Sequence, residues 1–507
     1  MRKNQRLFTI AFFVMAFRAF ASTIDYSTAV SFSTGISPRG IAVGRIVNEN
    51  SQNLIVANFG SPTFIGQSTS VSILDPRNSF IQIFAPGTNG LNPIGKIQTA
   101  SSPRGVFAFD SSGRGVQDIL VTCYDANLLQ VFRWANGQFV KMDEQETMKM
   151  PVGVTASWTR PGGLSFVAVA NFGSNTISLF PIKDGKLGKR VDVTVSNGPT
   201  QIGIGDLDGS GDNQIIVACL SSNKLDVIAK SVSADKTDLD SFAVVKTIPL
   251  PEGSAPSDIK VVDLNGDGRA DIAVAGYSKN TLMIYYQQKD GTLLAAPVLS
   301  TSGEHPNGLA VADIKRDGTK EVIVANRDSD TLDIFDPVNG QFQLNRTLKV
   351  TEEDGSSYGP VEVGVMDTRG NGKQDIIATH MRSNSIRVLN SQADPMPTPT
   401  PEFTNGNSQL TPFSDKSTFS YPNPSYEGKV KIVFNLEIPT SVKLRIYDVV
   451  GNLIWNEDIS ASKTQSGVNT ITWMGANQQG EKVASGLYLY NITVGGLTVT
   501  KKTVLIH

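Results

Sequence analysis

The chain has 507 residues, with 45 Lys and Arg against 47 Asp and Glu for a formal net charge of −2. Without a basic excess to displace counterions from phosphate, nucleic-acid binding through bulk charge is excluded. The 46 Gly and 25 Pro describe a turn-rich chain of short strands, while two Cys and three His leave no disulfide framework and no zinc cluster with ligand spacing.

In chain order, Arg2, Lys3 and Arg6 precede the apolar run Leu7 to Phe17, and Ala19-Phe20-Ala21 follows it. A basic head, an apolar core and a small-residue end predict a secretory signal peptide over residues 1–21. The run is too short to span a bilayer, and no later stretch is long enough, so the mature chain is expected to lack a transmembrane span.

A repeat follows. Prolines open seven units at Pro38, Pro103, Pro151, Pro199, Pro256, Pro306 and Pro360, spaced by 65, 48, 48, 57, 50 and 54 residues. Each unit has an alternating strand and then a Gly-rich turn, which in five units begins with Asp110, Asp206, Asp263, Asp313 or Asp367. Next comes a nearly continuous apolar strand such as Ile215-Ile216-Val217-Ala218 or Val322-Ile323-Val324-Ala325, as suits burial on both faces. A third strand and a hairpin such as Asn136-Gly137 or Asn339-Gly340 lead to a fourth.

Four strands per unit, seven units and no helical period predict an all-β fold: a seven-bladed β-propeller over residues 23–392. The seventh unit lacks a fourth strand, and residues 26–32 belong to no unit. They are expected to close the seventh blade. Cys123 and Cys219 hold equivalent positions in units two and four, too far apart for a disulfide, and are expected to be buried free thiols.

The run Asp263-Leu264-Asn265-Gly266-Asp267-Gly268-Arg269-Ala270-Asp271, after a proline-led strand and before Ile272-Ala273-Val274-Ala275, resembles the FG-GAP or VCBS repeats of integrin α heads and bacterial surface proteins. Alternating short carboxylates and amides around glycines suit a hard cation, and Val274 at the twelfth position excludes an EF-hand. The resemblance implies structural calcium held by Asp263, Asn265, Asp267, the backbone carbonyl of Arg269, and Asp271. The alternative is an Asx-stabilised hairpin. A weaker second site is read at Asp206, Asp208, Ser210 and Asp212. Loops with Lys315, Arg369 or Arg114 among their carboxylates are expected to be metal-free.

Residues at and after the end of the second strand form a candidate ligand ring: Asn58, Phe59, Tyr124, Asn171, Phe172, Tyr277, Asn326, Arg327 and His380. Aromatics offer flat apolar area and amides directional hydrogen bonds. The competing reading is that the asparagines cap turns. Arg39 and Arg104, each just after a proline, are read as surface residues without a binding signal. No nucleophile–His order, Gly-x-Ser-x-Gly elbow or phosphate loop is present, so no catalytic residue is assigned.

Residues 393–418 turn to Pro, Thr, Ser and Asn, a semi-extended linker. Residues 419–507 alternate strands and turns around one expected core Trp, predicting a small Ig-like β-sandwich. Its motifs, including Val442 to Asn452, Asn469 to Trp473 and Ala484 to Tyr490, resemble the FlgD-type Ig-like domain and the type A sorting domain of the type IX secretion system. That resemblance implies an address read by outer-membrane secretion machinery. The combined expectation is a monomeric secreted or cell-surface binding and adhesion protein for an extracellular glycan or protein ligand. The alternative is an exported propeller enzyme of lyase or lactonase type acting on an extracellular polysaccharide or small molecule.

Overall fold

The computed structural model describes residues 26, 30–60, 79–88, 90–158, 163–230, 239–351, 359–391, 413, 418–421, 425, 429–449 and 451–505. The expected signal peptide, and the linker apart from Phe413 and Thr418, lie outside these residues. The chain divides into two compact units, Met1–Pro395 and Met396–His507.

Among the described residues, the first unit holds seven antiparallel sheets, five of four strands and two of five, and each follows chain order outward from its proline-led strand. The seventh sheet takes its outermost strand from the start of the chain: Val30–Ser33 pairs with Ser385–Leu389, with Phe32 opposite Ile386. Every first strand packs against the first strands of two other sheets. Pro360–Met366 meets Pro38–Gly44, so this packing runs from the last sheet back to the first.

Each second strand, for example Gln214–Cys219 or Asp271–Gly276, is buried at every position. Sheets stacked face to face leave both sides of these strands dry, which is why an antiparallel strand here reads as a continuous apolar run. Outer strands such as Gln138–Glu146 alternate toward water. The hairpins Asn136-Gly137 and Asn339-Gly340 have both central residues at positive φ, the backbone twist that joins adjacent antiparallel strands tightly. Cys123 and Cys219 are free and buried, and burial pushes the Cys123 thiol up to about 12.

A second device recurs at each junction between units. The residue before every proline has positive φ, from 49° at Ala255 to 73° at Gly198, and the ladder beyond the proline carries a bulge or irregularity. Its N–H is capped by a side chain of the preceding unit, itself left-handed in six cases. Met150 donates to Asn127 at 2.8 Å, Gly198 to Asn175 at 2.9 Å and Ala255 to Asn223 at 2.8 Å. His305 donates to Asn280 at 2.9 Å, Gly359 to Asp330 at 2.6 Å and Ser37 to Asn384 at 2.8 Å. Between units one and two the acceptor is the Ser79 hydroxyl, 3.2 Å from the Ser102 N–H. Asparagine suits the task because it tolerates the left-handed region and carries a short acceptor.

The second unit comprises a three-stranded sheet, with Val430–Leu436 central, and a four-stranded one in which Val442–Asp448 and Gly486–Val494 are central. Trp473 is fully buried among Phe434, Tyr490, Ile446 and their neighbours, with its indole N–H donating to Ala476 O at 2.8 Å. Among the described residues, no helix is long and apolar enough to cross a membrane.

Candidate functional site

Five of the turns between first and second strands, those opened by Asp110, Asp206, Asp263, Asp313 and Asp367, share one plan. The leading Asp folds the loop by accepting backbone N–H groups three to five residues ahead: Gly266 at 2.7 Å and Gly268 at 2.8 Å on Asp263, Gly209 at 2.7 Å and Gly211 at 2.8 Å on Asp206. The ninth-position side chain is buried and accepts the N–H just after that Asp. Leu264 donates to Asp271 at 2.9 Å, Ile314 to Glu321 at 3.0 Å and Leu207 to Gln214 at 2.6 Å.

Cations neutralise most of these loops. Lys315 lies 3.5 Å from Glu321 and also pairs with Asp336, and Arg369 lies 2.9 Å from Asp375. In the second unit Arg114 bonds only the Ser112 hydroxyl at 2.8 Å. Asp118 is instead gripped by Arg133 from the third strand, at 2.5 and 2.9 Å. The side chain of Arg269 pairs with Asp267 and donates to Gln287 O at 3.1 Å. Asp271 has no cation of its own. Burial, and then the charges of Asp267 and Asp263, raise its carboxyl above the ordinary Asp range. Asp208, Ser210 and Asp212 hold one another's backbone through Asx-type bonds. No group of three or more His, Cys, Asp or Glu is close enough to form a metal cage among the described residues.

The ring of residues at the opposite ends of the strands is only partly a surface. Asn58, Asn171, Asn326 and His380 are completely buried, so they cannot meet a ligand. Asn58 accepts the Gly35 N–H at 2.9 Å, Asn171 donates to Ser178 at 2.9 Å and Asn326 to Asp333 at 2.9 Å. Their amides hold the unit together internally, because they sit on second strands that are dry on both faces. Burial, with Arg387 nearby, pushes His380 down to about 4, leaving it neutral at pH 7.

The residues one step further on remain at the surface or close under it, each fixed by a backbone bond to the residue before a proline. Phe59, Tyr124 and Tyr277 donate to the carbonyls of Ser37, Ser102 and Ala255 at 3.1, 2.8 and 3.1 Å, and Phe172 and Arg327 do the same to Met150 and His305. They fall into two clusters. In one, Phe59 and Tyr124 lie 5.8 Å apart, with Arg39 over the first ring at 5.2 Å and Arg104 over the second at 5.3 Å. In the other, Tyr277 stacks on His305 at 4.5 Å and its hydroxyl accepts from Arg327 at 3.0 Å, while His305 Nδ1 lies 2.7 Å from Asp328.

Between the first strands runs a cavity of about 770 Å³. Its polar lining includes Arg39, Arg104, Gln201, Asp258, Lys260 and Glu362. Arg39 and Arg104, expected at the surface without a binding signal, line this cavity instead, and Gln201, Asp258 and Glu362 escaped the reading of the sequence, although a signal exists. Gly stands two places after the proline at Gly40, Gly105, Gly153 and Gly308, where a Cβ would meet the next strand; at Gly105 it would lie 2.2 Å from Val152 O. Gln201, Asp258 and Glu362 replace glycine at that place. Asp258 is fully committed, accepting from Ile259 and Leu309 N–H at 2.7 Å each and from Lys260 at 2.8 Å. Glu362 accepts only from Gln201, at 3.2 Å, and burial, with Asp258 nearby, pushes it up to about 8.

Residues 263–324 match the FG-GAP-like repeat, and residues 423–496 match the FlgD Ig-like domain. No curated protein matches the chain. Among solved structures, the chain is similar to BBS1N in complex with ARL6DN at 14% identity and a TM-score of 0.49, covering 73% of this chain and 98% of that one. The Cps50 (Swd1) β-propeller domain of Myceliophteria thermophila is 12% identical, with a TM-score of 0.48 over 72% and 99% of the two chains. The periplasmic gluconolactonase PpgL of Pseudomonas aeruginosa is 13% identical, with a TM-score of 0.45 over 77% and 94%. The chain is thus all-β with propeller neighbours, and carries an FG-GAP-like repeat and a FlgD Ig-like segment.

Proposed function

We propose that the protein is a secreted or cell-surface binding protein: a seven-bladed propeller closed by Val30–Ser33, followed by an Ig-like sandwich that serves as a sorting domain for outer-membrane export. The observation that carries a binding role is the cavity inventory. Its lining holds no His and no Cys, and its Asp258 is tied up by Lys260 and two backbone N–H groups, which leaves a single further carboxyl, Glu362, beside the cations, amides and hydroxyls that can grip a ligand. An extracellular glycan or protein ligand fits this reading. The test is array binding by the mature chain, and the absence of any specific ligand across glycan and protein arrays would overturn it. Deleting residues 419–507 is expected to keep the protein from the cell surface, and unchanged surface display would refute the sorting role.

Structural calcium belongs to the same proposal, at the fifth loop. Asp263, Asn265, Asp267, Asp271 and the Arg269 carbonyl would hold it, because Asp271 faces two like charges with no cation of its own. The fourth loop, with Asp206, Asp208, Ser210 and Asp212, is the weaker site. Chelation is expected to lower the melting temperature, and an unchanged value would remove calcium from the account.

A second reading rests on Glu362. A carboxyl kept protonated near neutral pH can act as a general acid, as a lyase would need toward its leaving group. Turnover of an extracellular polysaccharide that disappears in Glu362→Gln would favour the enzyme.

A further inference from the structure

Arg39 and Arg104 line the cavity with no ion pair among the described residues, and the one carboxyl whose charge acts on either, Glu362 on Arg104, is itself pushed up to about 8. Neither guanidinium has a hydrogen bond or an ion pair among the described residues, and the Nε of Arg39 is buried without a partner. Their contacts are the faces of Phe59 and Tyr124. Cation–π contact offsets only part of the cost of withdrawing two like charges from water. Arg327 adds a third cation nearby, and burial with Arg104 and Arg327 pulls Arg39 down to about 10. Both side chains are half-buried, so water still reaches them, and an anion taking the place of that water would meet two like charges already held side by side on aromatic faces.

Deeper in the same cavity the chemistry changes. Gln201, Glu362 and Asn307 offer donors and acceptors suited to hydroxyls, and Asp258 contributes a fixed negative charge that disfavours a second anionic group. The volume of about 770 Å³ takes one or two sugar rings.

Resting on the reading of the propeller as an extracellular binder, we infer that the cavity mouth is a site for a sugar acid, whose carboxylate bridges Arg39 and Arg104 and whose hydroxyls reach Gln201 and Glu362. Two guanidinium forks can each engage a carboxylate through paired N–H groups, which a neutral sugar cannot exploit. The carboxylate can come from a free sugar acid or from the end of an acidic polysaccharide.

The test is calorimetric titration of the mature full-length protein with glucuronate, a galacturonate oligomer, glucose and inorganic phosphate. Binding of either uronate, weakened by salt and absent for glucose, supports the site; a monomer-only or oligomer-only result identifies the source. The double variant R39M/R104M is expected to bind about ten- to a hundredfold more weakly. Its melting temperature should be unchanged or higher, since two half-buried like charges without ion pairs are being removed. Uronate affinity equal in wild type and variant, no uronate binding at all, or phosphate binding as tight as uronate would overturn the proposal. Conversion of the oligomer by a wild type whose binding still depends on both arginines would keep the site and overturn only the non-catalytic reading.

Discussion

The backbone N–H of Ser37 donates to Oδ1 of Asn384 at 2.8 Å, joining residues 347 positions apart. It is the sequence-distant member of a set of junctions otherwise made between neighbouring units, and it acts alongside the pairing of Val30–Ser33 with Ser385–Leu389. Asn384→Ala removes the acceptor from a buried N–H and puts a Cβ-bearing residue without a local hydrogen bond at φ 53°. The expected loss is about 1 to 3 kcal/mol by denaturant unfolding. Asn223→Ala, at a junction local in sequence, should cost a similar amount. A cost confined to Asn223 would show that the terminal junction does not hold the first and seventh sheets together.

The same junctions predict a stabilising change. Ala255 sits at φ 49° without glycine's freedom, and a left-handed L-residue costs about 1 to 2 kcal/mol. Glycine recovers that strain but loses about 0.5 to 1 kcal/mol through the flexibility of the unfolded chain. Ala255→Gly is therefore expected to raise stability by up to about 1 kcal/mol in thermal unfolding. A destabilised variant would mean that the Ala255 methyl packs more favourably than its backbone is strained.

Arg133 and Asp118 form a buried pair, with side chains 9% and 1% exposed. Losing the cation strands the carboxylate, so Arg133→Met should cost about 3 to 5 kcal/mol. Arg133→Met with Asp118→Asn should recover much of that, because the double change removes both charges. Urea unfolding of wild type, Arg133→Met, Asp118→Asn and the double variant gives the coupling directly. Strictly additive losses would contradict the pairing.

What could be read in the sequence follows from which interactions carry a side-chain pattern. Second strands such as Ile272-Ala273-Val274-Ala275 declare themselves because burial on both faces forces an apolar run. The need for Val30–Ser33 follows from a seventh unit lacking a strand. The loop at Asp263 to Asp271 is legible because glycines and short carboxylates recur at fixed spacing. The junction bonds were hidden, since Asn127, Asn175 and Asn384 act on a backbone N–H that leaves no mark on its own residue. Arg133 lies 15 residues from Asp118, on another strand, and only strand pairing brings the two together. Asn58, Asn171 and Asn326 misled because a repeated amide looks the same whether it faces a ligand or seals a strand. Arg39 and Glu362 come together only when first strands from different units line one cavity.

Glu362 makes that cavity sensitive to pH. Burial, then Asp258, holds its carboxyl at about 8 in the folded protein, whereas the unfolded chain releases the same proton in the ordinary Glu range. Between those values the folded state keeps a proton that the unfolded state has lost, so stability falls as pH rises through the window. Glu362→Gln keeps the shape and cannot ionise, which removes this contribution. Glu321, pushed up to about 7 by burial, acts in the same direction but is present in both proteins and cancels. The melting temperature of Glu362→Gln relative to wild type should therefore climb steadily from about pH 5 to about pH 8.5. A difference that stays constant across that range would show that Glu362 is already ionised at pH 5, and would remove both the neutral hydrogen-bonding partner and the general acid from the cavity.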